Sequence, residues 1–331
     1  MKVSVIWSGS RWLALCDVLA YNWNDVLVYA KEQDIANEIN KSHTSIKYLD
    51  GKKIDKKVKA TDKLGDALNF SNYLLIAVPS KFVSTVLEEI KDIKDSDNYF
   101  FICATKWLTN NKTIQQIVNE FFPKHRWLVS ILWPSFAKEV VEKNITCICS
   151  VSKNENEALF VQALFSNDYF RLYTHTDVIW AELYSSIKNA LAIGSWIITW
   201  LGYGENTKAS LITRWLREMA KIWDVLWAKH ETFLWLTGLW DLILTCSSDE
   251  SRNFQAWYQI WKDNSAKKFL KNNQTTVEWL ATIWAIEEIA QKYNLELPIL
   301  HSLYLIIYEN AKPSDMLKQI MKRPLRKEQH I

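Results

Sequence analysis

Along the first half of the chain, short apolar runs alternate with stretches whose apolar residues recur every three or four positions. Val3-Ser4-Val5-Ile6 reads as a buried parallel strand, because its apolar residues are nearly contiguous. Leu13-Ala14-Leu15-Cys16-Asp17-Val18-Leu19-Ala20 reads as a helix, and Asp25-Val26-Leu27-Val28-Tyr29-Ala30 as a second strand. Further strands are expected at Tyr73-Leu74-Leu75-Ile76-Ala77-Val78, at Tyr99-Phe100-Phe101-Ile102-Cys103-Ala104 and over 127–132. Pro79-Ser80 stops the first of these, and Trp133-Pro134-Ser135 the last. Phe82, Val83, Val86, Leu87 and Ile90 are spaced as a helix. The lysine-rich segment 50–64 has few large apolar residues and is expected to be a solvated hairpin or loop. From about residue 180 the strand-like runs give way to helical periodicity over 182–199, 207–226, 231–245, 276–293 and 297–310.

Strand, tight turn and helix at the N-terminus form the setting of the dinucleotide fingerprint G-x-G-x-x-G. Here the pattern reads Trp7-x-Gly9-x-x-Trp12, with the middle glycine alone in place. Glu32 follows 20 residues after Trp12, where an acidic residue can hold the ribose 2′-hydroxyl of NAD. Its neighbour Lys31 could instead meet a 2′-phosphate, so the pair leaves the cofactor open. The expected fold is an α/β Rossmann-type domain over 1–178, followed by an all-α domain over 179–331. In an open sheet of this kind, ligands bind beyond the carboxyl ends of the strands.

Charge changes this picture little. The 331 residues carry 40 basic and 37 acidic side chains, a formal charge of +3, which implies no nucleic-acid partner. Five scattered cysteines suit a reduced cytoplasmic protein better than a disulfide framework. Cys147-x-Cys149 has no second ligand pair nearby, so both are expected in a buried strand and no metal is expected. No signal peptide or membrane-spanning run is expected. The lysine- and arginine-rich stretch 322–327 is expected to be a mobile terminus.

Glycine and tryptophan are anomalous. The chain has seven glycines and eighteen tryptophans, whereas glycine alone averages roughly 7% of residues. Trp196/Trp200, Trp223/Trp227 and Trp257/Trp261 have helical spacing. Trp7, Trp23, Trp107, Trp133 and Trp240, however, stand where turn signals belong, and glycine is the default residue there. The expectation is that many of these tryptophans are native glycines, encoded by UGA in a code that reads it as glycine.

Three clusters carry candidate chemistry: Ala104-Thr105-Lys106 at a strand end, Lys188-Asn189 shortly after Glu182, and Asp241 to Cys246 followed by Ser251-Arg252-Asn253. With Trp133-Pro134-Ser135-Phe136-Ala137-Lys138-Glu139-Val140, Leu201-Gly202-Tyr203-Gly204-Glu205-Asn206, Ala209-Ser210-Leu211-Ile212-Thr213-Arg214-Trp215 and Thr237-Gly238-Leu239-Trp240-Asp241-Leu242, they occur in one order. In that order the chain resembles the bacterial NAD(P)-dependent sn-glycerol-3-phosphate dehydrogenases over almost its whole length. In the family pattern the positions of Trp7, Trp12, Trp107, Trp133, Trp196, Trp200, Trp215, Trp235 and Trp240 are ordinarily glycine. Arg11, Tyr184-Ser185-Ser186 and Lys31-Glu32 also depart from the pattern, and the last tilts the cofactor from NADP toward NAD.

The resemblance implies interconversion of glycerol 3-phosphate and dihydroxyacetone phosphate, in the direction that supplies phospholipid synthesis. It implies that Lys188 handles the proton and that Lys106 is a second cation near the carbonyl. Ser251, Arg252 and Asn253 would hold the substrate phosphate, and Asp241 the substrate hydroxyls or Lys188. Trp133 and Ser135 would line the substrate cleft. Trp7, Gly9, Ser10, Arg11, Trp12, Lys31, Glu32, Tyr48, Lys106, Ala137, Arg252, Thr276 and Glu278 would lie at the cofactor, NAD or NADP. A homodimer stays open. A reductase of another small hydroxy acid is the alternative enzyme. If the tryptophans are real, the alternative is an inactive relative of the family; strain and overpacking at several sites would rival a domain's stability of about 5–15 kcal/mol, which weighs against that alternative.

Overall fold

The structure is a computed structural model that describes residues 1–7, 9–79, 82–105, 112–132, 136–178, 181–182, 202, 204–226, 239, 258–272 and 278–322. The chain divides into two compact units, Met1–Leu183 and Tyr184–Ile331.

The first unit is built on eight strands in the order β3-β2-β1-β4-β5-β6-β7-β8. They are β1 (Lys2–Ile6), β2 (Asp25–Tyr29), β3 (Val58–Thr61), β4 (Tyr73–Ile76), β5 (Phe100–Cys103), β6 (Trp127–Leu132), β7 (Thr146–Val151) and β8 (Phe170–His175). The first six run parallel, β7 pairs antiparallel to β6, and β8 runs parallel to β7. Alternate residues of the central strands enter opposite cores, as the two-residue side-chain period requires. Val3, Val5, Leu75, Ala77 and Ile102 join the helices α1 (Ser10–Tyr21), α2 (Gln33–Ser42), α7 (Ala137–Val141) and α8 (Glu155–Phe165). Ile6, Leu74, Ile76, Phe101 and Cys103 join α4 (Leu64–Phe70), α5 (Val83–Ile93) and α6 (Ile114–Phe121). Between α2 and β3 lies the one-turn α3 (Ile46–Leu49). Helices thus cover both faces of a mostly parallel sheet, the Rossmann-type arrangement, and its order reverses between β1 and β4.

The lysine-rich segment 50–64 corrects the expected hairpin or loop, because it contains β3. Val58 and Ala60 point into the core while Lys59 stays exposed, and β2 supplies the whole ladder. Two inward apolar residues suffice at a sheet edge, so no apolar run announces this strand. Cys147 and Cys149 lie in β7 as expected, Cys149 buried and Cys147 partly exposed. Among the described residues no group of ligands suits a metal ion.

The described part of the second unit is helical: Glu205–Leu226, Ala266–Asn272, Glu278–Tyr293, Pro298–Tyr308 and Pro313–Met321. Leu211, Trp215, Met219, Ile222 and Trp223 are buried at helical spacing along the first of these. From this helix Glu218 accepts the backbone N–H of Ile299 at 2.8 Å and of Leu300 at 3.0 Å, so its carboxylate caps the helix that Pro298 opens. The helices expected over 182–199 and 231–245 fall almost wholly outside the described residues, as does the basic tail beyond Lys322.

Candidate functional site

The carboxyl ends of β1, β2, β4, β5 and β6 share one edge of the sheet, since these strands are parallel and in neighbouring register. Residues that follow those ends therefore gather along that edge. Beyond β1 come Trp7, Gly9, Ser10 and Arg11. Beyond β2 come Lys31 and Glu32, and beyond β5 Ala104 and Thr105.

The β1–α1 turn is tight. Trp7 N–H donates to the Tyr29 carbonyl at 3.1 Å, and Gly9 is the N-cap of α1. The Gly9 carbonyl accepts from Trp12 at 3.1 Å and from Leu13 at 3.0 Å, which closes the first turn. That turn has no acidic residue, and Gly9 offers no side chain to occupy its N–H groups. A helix N-terminus of this kind presents donors and a positive dipole end, which suits a phosphate. The Trp12 ring lies across Gly9, where a Cβ would come within 2.9 Å of Trp12 Cδ1. The Trp7 ring stacks on Phe82 with centroids 5.7 Å apart.

Glu32 is the N-cap of α2 and forms an ion pair with Lys47 at 3.0 Å. Lys47 also lies over the ring of Tyr48, 5.2 Å from its centroid, so Glu32, Lys47 and Tyr48 form one local cluster. Lys31 is exposed beside it. Thr105 is buried, and its hydroxyl donates to the Val78 carbonyl at 2.8 Å, tying the chain beyond β5 to the chain beyond β4. Ala137 is buried at the start of α7. Glu278 begins the helix Glu278–Tyr293. Lys106, Trp133, Ser135, Lys188, Asp241, Ser251, Arg252, Asn253 and Thr276 lie outside the described residues.

Two groups near this edge went unassigned in the sequence. Lys47 had no signal of its own, because its pairing with Glu32 spans 15 residues. Glu182 is almost fully buried and accepts the hydroxyl hydrogen of Ser130, which in turn accepts from Gln115 Nε2 at 3.1 Å. Burial pushes its carboxyl up to about 7, against the pull of hydrogen bonds from Ser130, Thr113 and the start of α6. A lone glutamate upstream of Lys188 was its only trace in the sequence.

Comparison with known proteins covers both units. The NAD-dependent glycerol-3-phosphate dehydrogenase N-terminus profile matches residues 2–158, and the C-terminus profile matches residues 177–318. Glycerol-3-phosphate dehydrogenase [NAD(P)+] of Staphylococcus aureus strain bovine RF122 / ET3-1 is 36% identical over 331 residues, covering 99% of each chain. The enzyme of strain USA300 / TCH1516 matches to the same extent. The crystal structure of glycerol-3-phosphate dehydrogenase from Coxiella burnetii is 28% identical, with a TM-score of 0.85 over 97% of this chain and 99% of that one. The Plasmodium falciparum glycerol-3-phosphate dehydrogenase structure shares the fold, with a TM-score of 0.86 at 21% identity over 99% of this chain and 97% of that one. With both profiles matched and this identity over its full length, the chain belongs to the NAD-dependent glycerol-3-phosphate dehydrogenase family.

Proposed function

We propose that the protein is an oxidoreductase that interconverts sn-glycerol 3-phosphate and dihydroxyacetone phosphate with NAD or NADP. The observation that carries this reading is the 36% identity, over 99% of both chains, to enzymes named for that substrate and cofactor. The bound nicotinamide would supply the hydride acceptor or donor. The backbone N–H groups at the start of α1, with Ser10 and Arg11, suit its pyrophosphate; the first turn without an acidic residue supports this. Glu32 is assigned to the ribose, with Lys31 and Tyr48 beside it, and Thr276 and Glu278 are assigned to the cofactor.

Lys188 is assigned the proton. As an amine it takes the proton of the secondary hydroxyl during oxidation; as an ammonium it returns that proton to the forming alkoxide and stabilises its charge. Lys106 adds a second cation at the same oxygen. Arg252 offers a planar fork to the substrate phosphate, with Ser251 and Asn253 as neutral donors. Asp241 orients the substrate hydroxyls or Lys188. Support for these roles is the match of the motifs that contain them. No described helix is long and apolar enough to cross a membrane. The proposal includes a cytoplasmic enzyme that supplies glycerol 3-phosphate for phospholipid synthesis.

The test is turnover with glycerol 3-phosphate, dihydroxyacetone phosphate and unphosphorylated hydroxy acids, for the native chain and for Lys188→Ala. Activity is expected on the phosphorylated pair alone. Loss of general acid–base catalysis should lower kcat by about 10²–10⁴-fold with cofactor binding retained. Near-normal kcat in the variant, or preference for an unphosphorylated acid, would overturn the reading.

A further inference from the structure

The described backbone holds two tryptophans in conformations that belong to glycine. Trp7 has φ 104° and Trp23 φ 62°. Of the six other non-glycine residues at positive φ, His43, Asp50, Asn264, Asn294 and Asn310 are of the types that tolerate the left-handed region, and the sixth is Lys143 at φ 62°. Tryptophan, like Lys143, is not among those types. A φ of 104° also lies beyond the left-handed well that L-residues reach, near +50 to +70°.

Trp23 stands at a place with a known preference. α1 ends at Tyr21, and Asn22 is its C-cap. Trp23 N–H donates to the Ala20 carbonyl at 3.0 Å and Asn24 N–H to the Leu19 carbonyl at 3.1 Å. These two bonds define a Schellman motif, whose left-handed residue is usually glycine because a Cβ is penalised there. The indole does not compensate by burial. It is 83% exposed, with Lys57 Nζ 3.7 Å from its centroid.

Trp7 stands where the chain turns from β1 into α1, at the edge where a phosphate would meet the helix N-terminus. Its backbone is fixed by the bond to Tyr29, so the strained φ is part of the sheet geometry. A third tryptophan, Trp215, is fully buried with no hydrogen-bond partner for its indole nitrogen, a cost that buried indoles ordinarily avoid. These positions belong to a chain with seven glycines and eighteen tryptophans.

We infer that Trp7 and Trp23 are glycine in the protein as its source makes it, their codons being UGA decoded as glycine. The β1–α1 turn then has no ring at its first position, and the backbone beside the start of α1 is open to close approach by an anion. The inference rests on backbone geometry and composition, so it stands or falls separately from the proposed reaction.

The first test reads the two codons and the peptide masses of the protein purified from its source. UGA codons with glycine masses are expected; UGG at either position, or tryptophan in the native peptides, overturns the inference. The second compares the full chain as written with Trp23→Gly and Trp23→Ala by denaturant unfolding. Glycine relieves the left-handed backbone and alanine does not, so Trp23→Gly should raise the folded-to-unfolded ratio about 5- to 30-fold above Trp23→Ala. Equal stability of the two variants would remove the structural basis.

Discussion

Lys47 Nζ lies 3.0 Å from Glu32 Oε1, so the carboxylate that follows β2 is paired with a cation from α3. The two residues bear on cofactor choice in opposite ways. Glu32 accepts hydrogen bonds from ribose hydroxyls and repels a 2′-phosphate, whereas Lys47 and Lys31 attract one. Glu32→Gln should therefore lower kcat/KM with NAD about tenfold or more, the value of a charged hydrogen bond, and raise it with NADP. An NAD-to-NADP ratio unchanged from the parent would show that the cluster takes no part in cofactor choice.

Stability should fall as pH rises from about 4.5 to 7. Burial lifts the carboxyls of Glu218 and Glu182 from 4.5 to about 7 in the folded chain. Within that window the folded chain keeps protons that the unfolded chain has lost, so each carboxyl favours folding less as pH climbs. The loss is complete above about 7 and amounts to as much as about 3 kcal/mol per group. Urea unfolding of the parent and of Glu218→Gln at pH 5 and pH 8 checks this. The variant should show a shallower pH dependence, along with a constant cost of about 1–3 kcal/mol for weakening the cap on Ile299 and Leu300.

Glu182 and Ser130 give a second contrast. Glu182→Ala leaves the Ser130 hydroxyl without its buried acceptor and should destabilise by about 1–3 kcal/mol. Glu182→Gln retains a carbonyl oxygen for Ser130 and should recover most of that loss. Equal midpoints for the two variants in thermal unfolding would contradict the network.

Thr105 is expected to position the segment that continues into Lys106. Thr105→Val preserves shape but leaves the Val78 carbonyl without its hydroxyl donor. Turnover should fall several-fold with little change in cofactor KM, because a small misplacement of a catalytic cation weakens transition-state stabilisation more than binding. A change confined to stability, with kcat intact, would make Thr105 purely structural.

The sequence by itself determined the strand–helix–strand opening, three later strands and one later helix of the first unit, three of the described helices of the second unit, and the family. Those signals are local. Val3 to Ile6, Tyr73 to Ile76 and Phe100 to Cys103 are buried on both faces and so read as apolar runs, and a helix such as α5 repeats within its own length. The ordered motifs around Lys106, Lys188 and Arg252 likewise need no structure to be recognised. Tertiary structure decided what depends on neighbours distant in sequence. β3 is a strand because β2 supplies its ladder, not because Val58-Lys59-Ala60-Thr61 demands one. Glu182 and Glu218 look like surface glutamates until packing buries them, and Lys47 acquires its meaning only beside Glu32. Trp7 illustrates both levels. Composition and turn position raised the expectation that it is natively glycine, and its φ of 104°, a region that favours glycine, is the backbone observation on which the inference of a native glycine rests.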